Sequence, residues 1–388
     1  MTLICTHCAK APSIKALIES KGTVSTCDLC LLEALSIDST CNELNQLCKA
    51  LIRFNFNEWD YNSHWGGQEI EHLFRGPDNI FFIEPNDDKS EAYDELIQNQ
   101  IAKPYEDYEK GITIYAGYTN GHQNLLLSAI KNEISESITS IADRLLKVNH
   151  YELEDELKAI LEIFKTNATT TIEIGQSLNR ARIGVSERKT FIGSGFISEE
   201  HFSPYTNEKI GAPSPQLATH GRANRSGVSF FYGATEPHTA ISEVRPHPND
   251  VVSVGLFKVI NPIKAFDLTK DLIGNYSNSD RELDIFSLYN SLAKVINQTI
   301  TPKDQSSKYL ITQLIADCIR LLGFDALIFQ STVGSGLNVV LFDQKSIKIE
   351  SSGGRVFRIN KVNYETSEET VVDTTNSYLE DFKKQAKP

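Results

Sequence analysis

Two groups of residues in this 388-residue chain have types and spacings that can do chemistry. The first is a pair of CxxC motifs, Cys5-Thr6-His7-Cys8 and Cys27-Asp28-Leu29-Cys30, separated by eighteen residues. A two-residue spacer lets a tight turn aim both thiolates at one metal, and two such knuckles complete a tetrahedron of sulfur. The pattern therefore reads as a zinc site made by Cys5, Cys8, Cys27 and Cys30. Four ligands leave no open position, so the expected role is structural. Neither motif follows a strand of a βαβ unit, as a redox pair would. His7, inside the first knuckle, is the weaker candidate ligand. Cys41, Cys48 and Cys318 read as buried apolar thiols.

The second group is spread between residues 178 and 342. Leu178-Asn179-Arg180-Ala181-Arg182-Ile183-Gly184 reads as a strand, which places Arg180 and Arg182 on one face. Two converging guanidiniums suit a diphosphate, because their planar forks bind phosphate oxygens bidentately. Taken alone, the pair reads equally well as surface charge on an edge strand. Gly221-Arg222-Ala223-Asn224-Arg225-Ser226-Gly227 is turn-like, and the β-prone Val228-Ser229-Phe230-Phe231-Tyr232 follows it. Next comes a short helix, with Thr235 as N-cap, Pro237 in the first turn and Pro246 as its stop. Ala240, Ile241 and Val244 form its buried stripe, and Glu243 borders that stripe. A carboxylate at such an edge either faces a pocket or is simply solvated.

These residues need elements to hold them. Ser13 to Ser20 reads as a short helix, and Leu31 to Leu51 as one or two more. The aromatic stretch from Phe54 to Gly67, ending in two glycines, reads as a loop that packs on a neighbouring domain. A stacking surface for bases is its weaker reading. From Asn124 to Thr166 apolar residues recur at helical steps, including Leu125, Leu126, Ile130, Ile134, Ile138, Ile141 and Leu145, with a second run over Leu153 to Phe164. After Asn167, Gly, Pro and Ser interrupt short β-prone segments. The expected division is a zinc-binding unit over 1–50, a mainly helical accessory region over 51–168, a catalytic domain over 169–360 and a polar tail over 361–388.

The ordered set of Arg180, Gly221-Arg222-Ala223-Asn224, Tyr232, Thr239-Ala240-Ile241-Ser242-Glu243-Val244-Arg245, Tyr309-Leu310-Ile311-Thr312-Gln313, Asp325-Ala326-Leu327-Ile328-Phe329-Gln330-Ser331 and Asn338-Val339-Val340-Leu341-Phe342 resembles the RES family. That family is named for its Arg, Glu and Ser. The N-terminal part resembles the HEPN/RES-type accessory region found ahead of RES domains in longer members. The resemblance implies an α+β fold with an ADP-ribosyltransferase-like split mixed sheet, and cleavage of NAD at the nicotinamide–ribose bond. Carried over by position, Arg180 matches the family's arginine, Glu243 its glutamate, Ser331 its serine and Tyr232 the tyrosine closing the preceding strand. Arg182 and Arg222 become candidates for phosphate contact, and Asn338 for contact with the bound dinucleotide.

Breaking that N-glycosidic bond builds an oxocarbenium-like ribose, while nicotinamide leaves neutral, so a carboxylate is needed more than a general acid. The resemblance gives Glu243 that role and Ser331 a hydrogen bond to the ribose or the carboxamide. Tyr232 would stack on the pyridinium, and the arginines would grip the diphosphate. The expected activity is that of a toxin-like NAD glycohydrolase or phosphorylase of the kind used in bacterial toxin–antitoxin and defence systems. An ADP-ribosyltransferase acting on a protein is the alternative, and a non-enzymatic zinc-containing interaction protein the second. The implied partners are NAD and an antitoxin or regulatory protein, with a homo-oligomer left open.

Composition narrows the field further. Hydrophobic residues at 40% and charged residues at 23% describe a folded chain. The net charge of −13 argues against broad nucleic-acid binding, which needs Lys and Arg to displace counterions from phosphates. No apolar run approaches the roughly 18 residues of a membrane span, and no signal-peptide pattern opens the chain, so the expected location is cytoplasmic. Gly193-Ser194-Gly195 and Gly334-Ser335-Gly336 lack the third glycine of a Rossmann fingerprint, which argues against hydride transfer. His247, between two prolines, reads as a loop histidine.

Overall fold

The computed structural model describes residues 2–61, 66–101, 127–192, 198–300, 305–350, 353–363 and 365–368. Strands β1 (Leu3–Cys5), β2 (Thr23–Thr26) and β3 (Glu33–Asp38) form a small antiparallel sheet in the order β1-β3-β2, with helix α1 (Pro12–Lys21) packed on β3. Pro12 opens α1 where its missing N–H costs nothing, and Ile14 and Ile18 bury its inner face. Helix α2 (Asn42–Asn55) follows. The helical reading of Leu31 to Leu51 is therefore half right. Glu33–Asp38 is a strand because its backbone is paired on both sides, by Leu3–Cys5 and by Thr23–Thr26. Pairing from chain-distant partners overrides local propensity.

After helix α3 (Ser90–Ile101) come α4 (Glu136–Arg144) and α5 (Glu154–Phe164). The helix expected from Asn124 starts only at Glu136, after a single 3-10 turn at Ile130–Asn132; residues 124–126 lie outside the described residues. The expected second run matches α5. Within the aromatic stretch, Phe54 meets Phe286 edge-on at 5.4 Å and Phe56 stacks on Phe81 at 6.3 Å, so these rings are packing contacts; residues 62–65 are not described.

The main sheet begins at β4 (Thr169–Ile172) and continues with β5 (Ser177–Ile183). A separate hairpin of β6 (Glu187–Ile192) and β7 (Ser198–Ser203) follows, and the glycines at 193 and 195 lie outside the described residues. Then come β8 (Phe231–Ala234), α6 (Pro237–Glu243), β9 (Val251–Val259), β10 (Ile263–Asp267), α7 (Asp280–Asn297), α8 (Gln305–Leu321), β11 (Ala326–Gln330), β12 (Leu337–Leu341), β13 (Ile347–Ile349) and β14 (Arg355–Arg358). The sheet has nine strands in the order β13-β9-β5-β8-β12-β11-β10-β4, with β14 also on β9. Among the described strand pairs only β10 and β11 run parallel, and the crossover this requires is the α7–α8 pair. The fold is the expected α+β with a mixed sheet. Among the described residues no helix is long and apolar enough to cross a membrane.

Alternation along the central strands sorts their side chains between two faces. Leu327, Phe329 and Val340 join the cluster that contains α7 and α8, whereas Ala326, Ile328, Val339 and Leu341 join Leu178, Phe231 and Phe257 on the other face. The first cluster runs unbroken from Ile4 and Cys48 through Phe164 to Phe286, Leu314 and Ile319. Phe286 sits where α2 meets α7, and burying a phenyl ring there removes roughly 3 kcal/mol or more of apolar surface cost from the folded state. Phe286→Ala should lower stability by about 3–5 kcal/mol, read as a fall in the midpoint of chemical denaturation. A midpoint equal to that of the unsubstituted chain would mean that the ring does not join the two regions.

Candidate active site

A cavity of about 420 Å³ opens between α6 and α8 on the face that carries those helices. Its floor is a row across neighbouring strands, Asn179 on β5 beside Ala234 on β8 beside Asn338 on β12 beside Phe329 on β11. Ala234 has almost no side chain, and that leaves room above the sheet. One wall is α6 and its exit, with Ala240, Glu243, Val244 and Arg245; the other carries Arg222, Tyr232 and Tyr309.

Glu243 is the last residue of α6. Its Oε1 accepts hydrogen bonds from Ser331 Oγ and Asn338 Nδ2, both at 2.7 Å. Ser331 is 6% exposed and Asn338 8%, so the carboxylate is held from behind by buried donors while its residue remains open to the cavity. Ser331 Oγ also accepts from the backbone N–H of Val333 and Gly334. The hydroxyl is thereby fully used in aiming Glu243, rather than left free for a ligand. The loop that does this needs glycine. A Cβ on Gly334 would stand 2.8 Å from the Thr239 backbone, and Gly336 N–H donates to Thr239 Oγ1 at 2.9 Å.

Helix α6 differs in detail from the expected pattern. Glu236 is its N-cap, not Thr235, whose Oγ1 instead accepts from Leu337 N–H on the adjacent strand. The helix ends at Glu243, before Pro246 is reached.

Arg180 and Arg182 do share the face expected of alternate strand residues, but they diverge. Strands β5 and β8 have one registered pair, Asn179 with Ala234. In this split the Arg180 guanidinium lies over the Phe231 ring at 5.3 Å, donates to the Tyr232 carbonyl at 2.7 Å and lines the cavity. Burial pulls its pKa down to about 10, so it remains cationic near neutrality. Arg182 lies over Tyr205 at 5.1 Å and donates to the Lys209 carbonyl at 2.6 Å; it does not line the cavity. Arg222 does line it, with its Nη1 held by the carbonyls of Ile296 and Gln298, and burial lowers its pKa as well.

Tyr232 is bound into the same loop. Its hydroxyl accepts from Ala223 N–H at 3.0 Å and donates to Asn224 Oδ1 at 2.6 Å. Burial pushes this hydroxyl well above the usual tyrosine range, so it stays protonated. Helix α8 grips the loop from the other side, with Thr312 Oγ1 donating to the Arg222 carbonyl and Gln313 Nε2 to those of Gly221 and Asn224.

Three polar lining residues carry no functional assignment from the sequence: Asn179, Tyr309 and Arg245. Asn179 is buried and donates to the Thr235 carbonyl at 3.1 Å, while its Oδ1 has no donor among the described residues. Arg245 belongs to the motif quoted for α6, but nothing in its spacing shows that the helix would stop at Glu243 and turn it into the cavity. His247 is exposed in a turn, its N–H bonded to Asp250, as expected of a loop histidine.

Far along the chain, the Sγ atoms of Cys5, Cys8, Cys27 and Cys30 all lie within 4.8 Å of one another. Cys5–Cys30 is 3.5 Å and Cys8–Cys27 is 3.8 Å. Sulfur ligands at about 2.3 Å from a tetrahedral metal stand about 3.8 Å apart, so the four can hold such an ion. The Cys8 hydrogen bond pulls the Cys27 thiol down to about 4, while the Cys27 sulfur and burial push Cys8 up. His7 is exposed and outside the cluster. Cys48 and Cys318 are buried as expected; Cys41 is only half-buried, and its thiol donates to Glu43 at 3.2 Å.

An α+β chain with a mixed sheet and a polar cavity at its split is the class defined so far. Residues 197–358 match the family described as RES domain, and this chain carries a RES domain. The match contains Arg222, Tyr232, Glu243, Ser331 and Asn338, while Arg180 and Arg182 precede it. No curated protein matches the chain. Among solved structures it is similar to one described as the crystal structure of the M. tuberculosis MbcT–MbcA toxin–antitoxin complex, at 13% identity, covering 53% of this chain and 94% of that one, with a TM-score of 0.29.

The geometry makes a specific demand of Tyr232. Tyr232→Phe leaves a buried N–H and a buried amide oxygen unpaired, so it should cost about 1–3 kcal/mol of stability and speed amide exchange at Ala223. Unchanged denaturation and unchanged exchange would show that the hydroxyl does not hold the 221–224 loop.

Proposed function

We propose that the cavity is the active site of a RES-type enzyme that cleaves the nicotinamide–ribose bond of NAD, as a glycohydrolase or phosphorylase, and that the chain acts as a toxin-like cytoplasmic enzyme. The observation that carries the reading is the Glu243 carboxylate, fixed by Ser331 and Asn338 on the wall of a cavity also lined by Arg180, Arg222 and Tyr232. In this reading the ribose lies beside Glu243. As the bond to nicotinamide lengthens, positive charge grows on the ribose ring, and a carboxylate already oriented by two donors meets it without reorganising. Nicotinamide leaves as a neutral ring, so no group has to protonate it. Tyr232, its hydroxyl occupied, offers its ring to the pyridinium, and Arg180 and Arg222 face the diphosphate. Asn338 acts on the ligand through Glu243.

The same groups would serve an ADP-ribosyltransferase, which differs only in the acceptor that attacks the ribose. NAD loss with release of free ADP-ribose, without a labelled protein, supports hydrolysis; release of its phosphate ester supports phosphorolysis. Glu243→Gln keeps the shape and can still accept from Ser331 and Asn338, but it removes the charge. Turnover should fall about 10²- to 10³-fold with little change in NAD affinity. A near-neutral variant would return Glu243 to an ordinary helix end and favour a non-enzymatic interaction protein. An antitoxin or regulatory partner is the expected restraint on such an enzyme.

The four cysteines belong to the same proposal as a structural zinc site. Their sulfur spacing fits a tetrahedral ion, and a closed tetrathiolate site contributes to folding its surroundings. Protein purified without chelator should contain about one zinc per chain. Cys27→Ser should lose it and make the first 50 residues protease-sensitive. Metal-free protein with full protease resistance would remove the zinc from the account.

A further inference from the structure

The cavity is lined by three guanidiniums, Arg180, Arg222 and Arg245, and by the single carboxylate of Glu243. That leaves an excess of positive charge in a chain whose net charge is −13. The three cations are not equivalent. Arg180 is held by the Tyr232 carbonyl and the Phe231 ring, and Arg222 by two carbonyls at the end of α7 and just beyond it. Arg245 is exposed, and among the described residues its side chain makes no hydrogen bond and no ion pair. Arg222 feels both the Glu243 carboxylate, which favours its charge, and the Arg245 guanidinium, which opposes it, as expected of groups that face one cavity.

The backbone at Arg245 supports a binding role. Arg245 has φ +49, the left-handed region that side-chain-bearing residues rarely adopt, and it follows Glu243 by two residues at the exit of α6. Glycine or asparagine would fit this conformation more easily. An arginine is placed there against local backbone preference, on the rim beside the carboxylate.

We infer that Arg245 is the mobile guanidinium that closes on the diphosphate of the bound dinucleotide, with Arg222 and Arg180 as the fixed part of the same anion site. The three guanidiniums outnumber the single carboxylate, and a diphosphate bridge carries two negative charges that meet this excess. A free guanidinium fork can reach two phosphate oxygens at once, whereas Arg222 and Arg180 have donors already committed. This rests on the reading of the cavity as a dinucleotide site, and it adds the residue that holds the diphosphate.

The test is calorimetric binding of ADP-ribose, inorganic pyrophosphate and adenosine to the full chain, with NAD cleavage followed in parallel. Arg245→Asn removes the charge and suits the left-handed backbone, so its melting temperature should not fall. Its affinity for ADP-ribose and pyrophosphate should drop about 10- to 100-fold, the range of a charge-assisted hydrogen-bond pair, with adenosine unaffected. Arg245→Lys should recover part of the loss. Unchanged ADP-ribose affinity in Arg245→Asn overturns the inference, and so does an equal loss for adenosine, which would indicate a general change in the cavity. A chain that binds pyrophosphate through Arg245 but cleaves no NAD leaves this inference standing and removes the proposed activity. A chain that cleaves NAD with the same KM after Arg245→Asn does the reverse.

Discussion

The site depends on one carboxylate being held still. Glu243 ends a seven-residue helix, and a side chain there would ordinarily sweep through solvent. Ser331 and Asn338 prevent this by placing two donors on one oxygen, both from the same side. Each of those donors is itself positioned by backbone. Asn338 is fixed by its place in β12 between β8 and β11, and Ser331 by the two N–H groups of the glycine-bearing loop that follows it. Charge assistance makes these hydrogen bonds stronger than neutral ones, and their burial shields them from competing water. The close approach of residues 334–336 to Thr239 and the alanine at the centre of the cavity floor follow from the same need. The loop must come near α6 to reach Glu243, and the floor must stay low to leave room in front of it.

The cations show the opposite economy of design. A sheet split that pairs β5 and β8 at a single registered position lets Arg180, whose strand alternation sends it to the far face, reach back toward the cavity. Arg182, two residues on, has no such opening and rests on Tyr205. Strand parity therefore does not decide which arginine reaches the cavity; the local loss of pairing does. Arg222 is fixed by a different device, a loop gripped between Tyr232 and α8, so its position depends on Thr312 and Gln313, which never touch the cavity.

Much of this was legible in residue types. The CxxC spacing identified four cysteines whose sulfurs do converge, because that motif encodes its own turn geometry. Glu243, Ser331, Asn338, Tyr232 and Arg222 come from an ordered pattern whose members meet within one region of the fold. What stayed hidden was decided by partners distant in sequence. Glu33–Asp38 becomes a strand because β1 and β2 lie beside it, and Thr235 gives up the N-cap position because Leu337 N–H needs its hydroxyl. Ser331 was expected at the ligand and is found behind Glu243. Its residue type states that it can hydrogen-bond, but only the fold states to what. Arg245 escaped for a similar reason, since a left-handed residue at a helix exit leaves no mark in hydrophobic periodicity.

The same dependence on distant partners governs how the N-terminal region bears on the site. Helix α8 presents Thr312 and Gln313 to the loop that carries Arg222, and it packs against α5, which precedes the main sheet. On that side Leu157, Leu161 and Phe164 are fully buried, Cys318 Sγ donates to the Glu154 carbonyl, and Phe164 meets Tyr289 of α7 at 5.4 Å. Arg225, one residue beyond the gripped loop, contacts His150 at 2.6 Å and Asp317 at 3.1 Å. A close Arg–His contact requires a neutral ring, and burial and Arg225 both lower the His150 pKa. Residues 150–164 therefore support α8 and the 221–225 loop directly, through an apolar face on one and a polar contact on the other. A packed helix transmits a displacement to its neighbours rather than absorbing it, because protein interiors leave little free volume. Anything that repositions this segment acts on Arg222 and Tyr232 through α8, without having to reach the cavity itself.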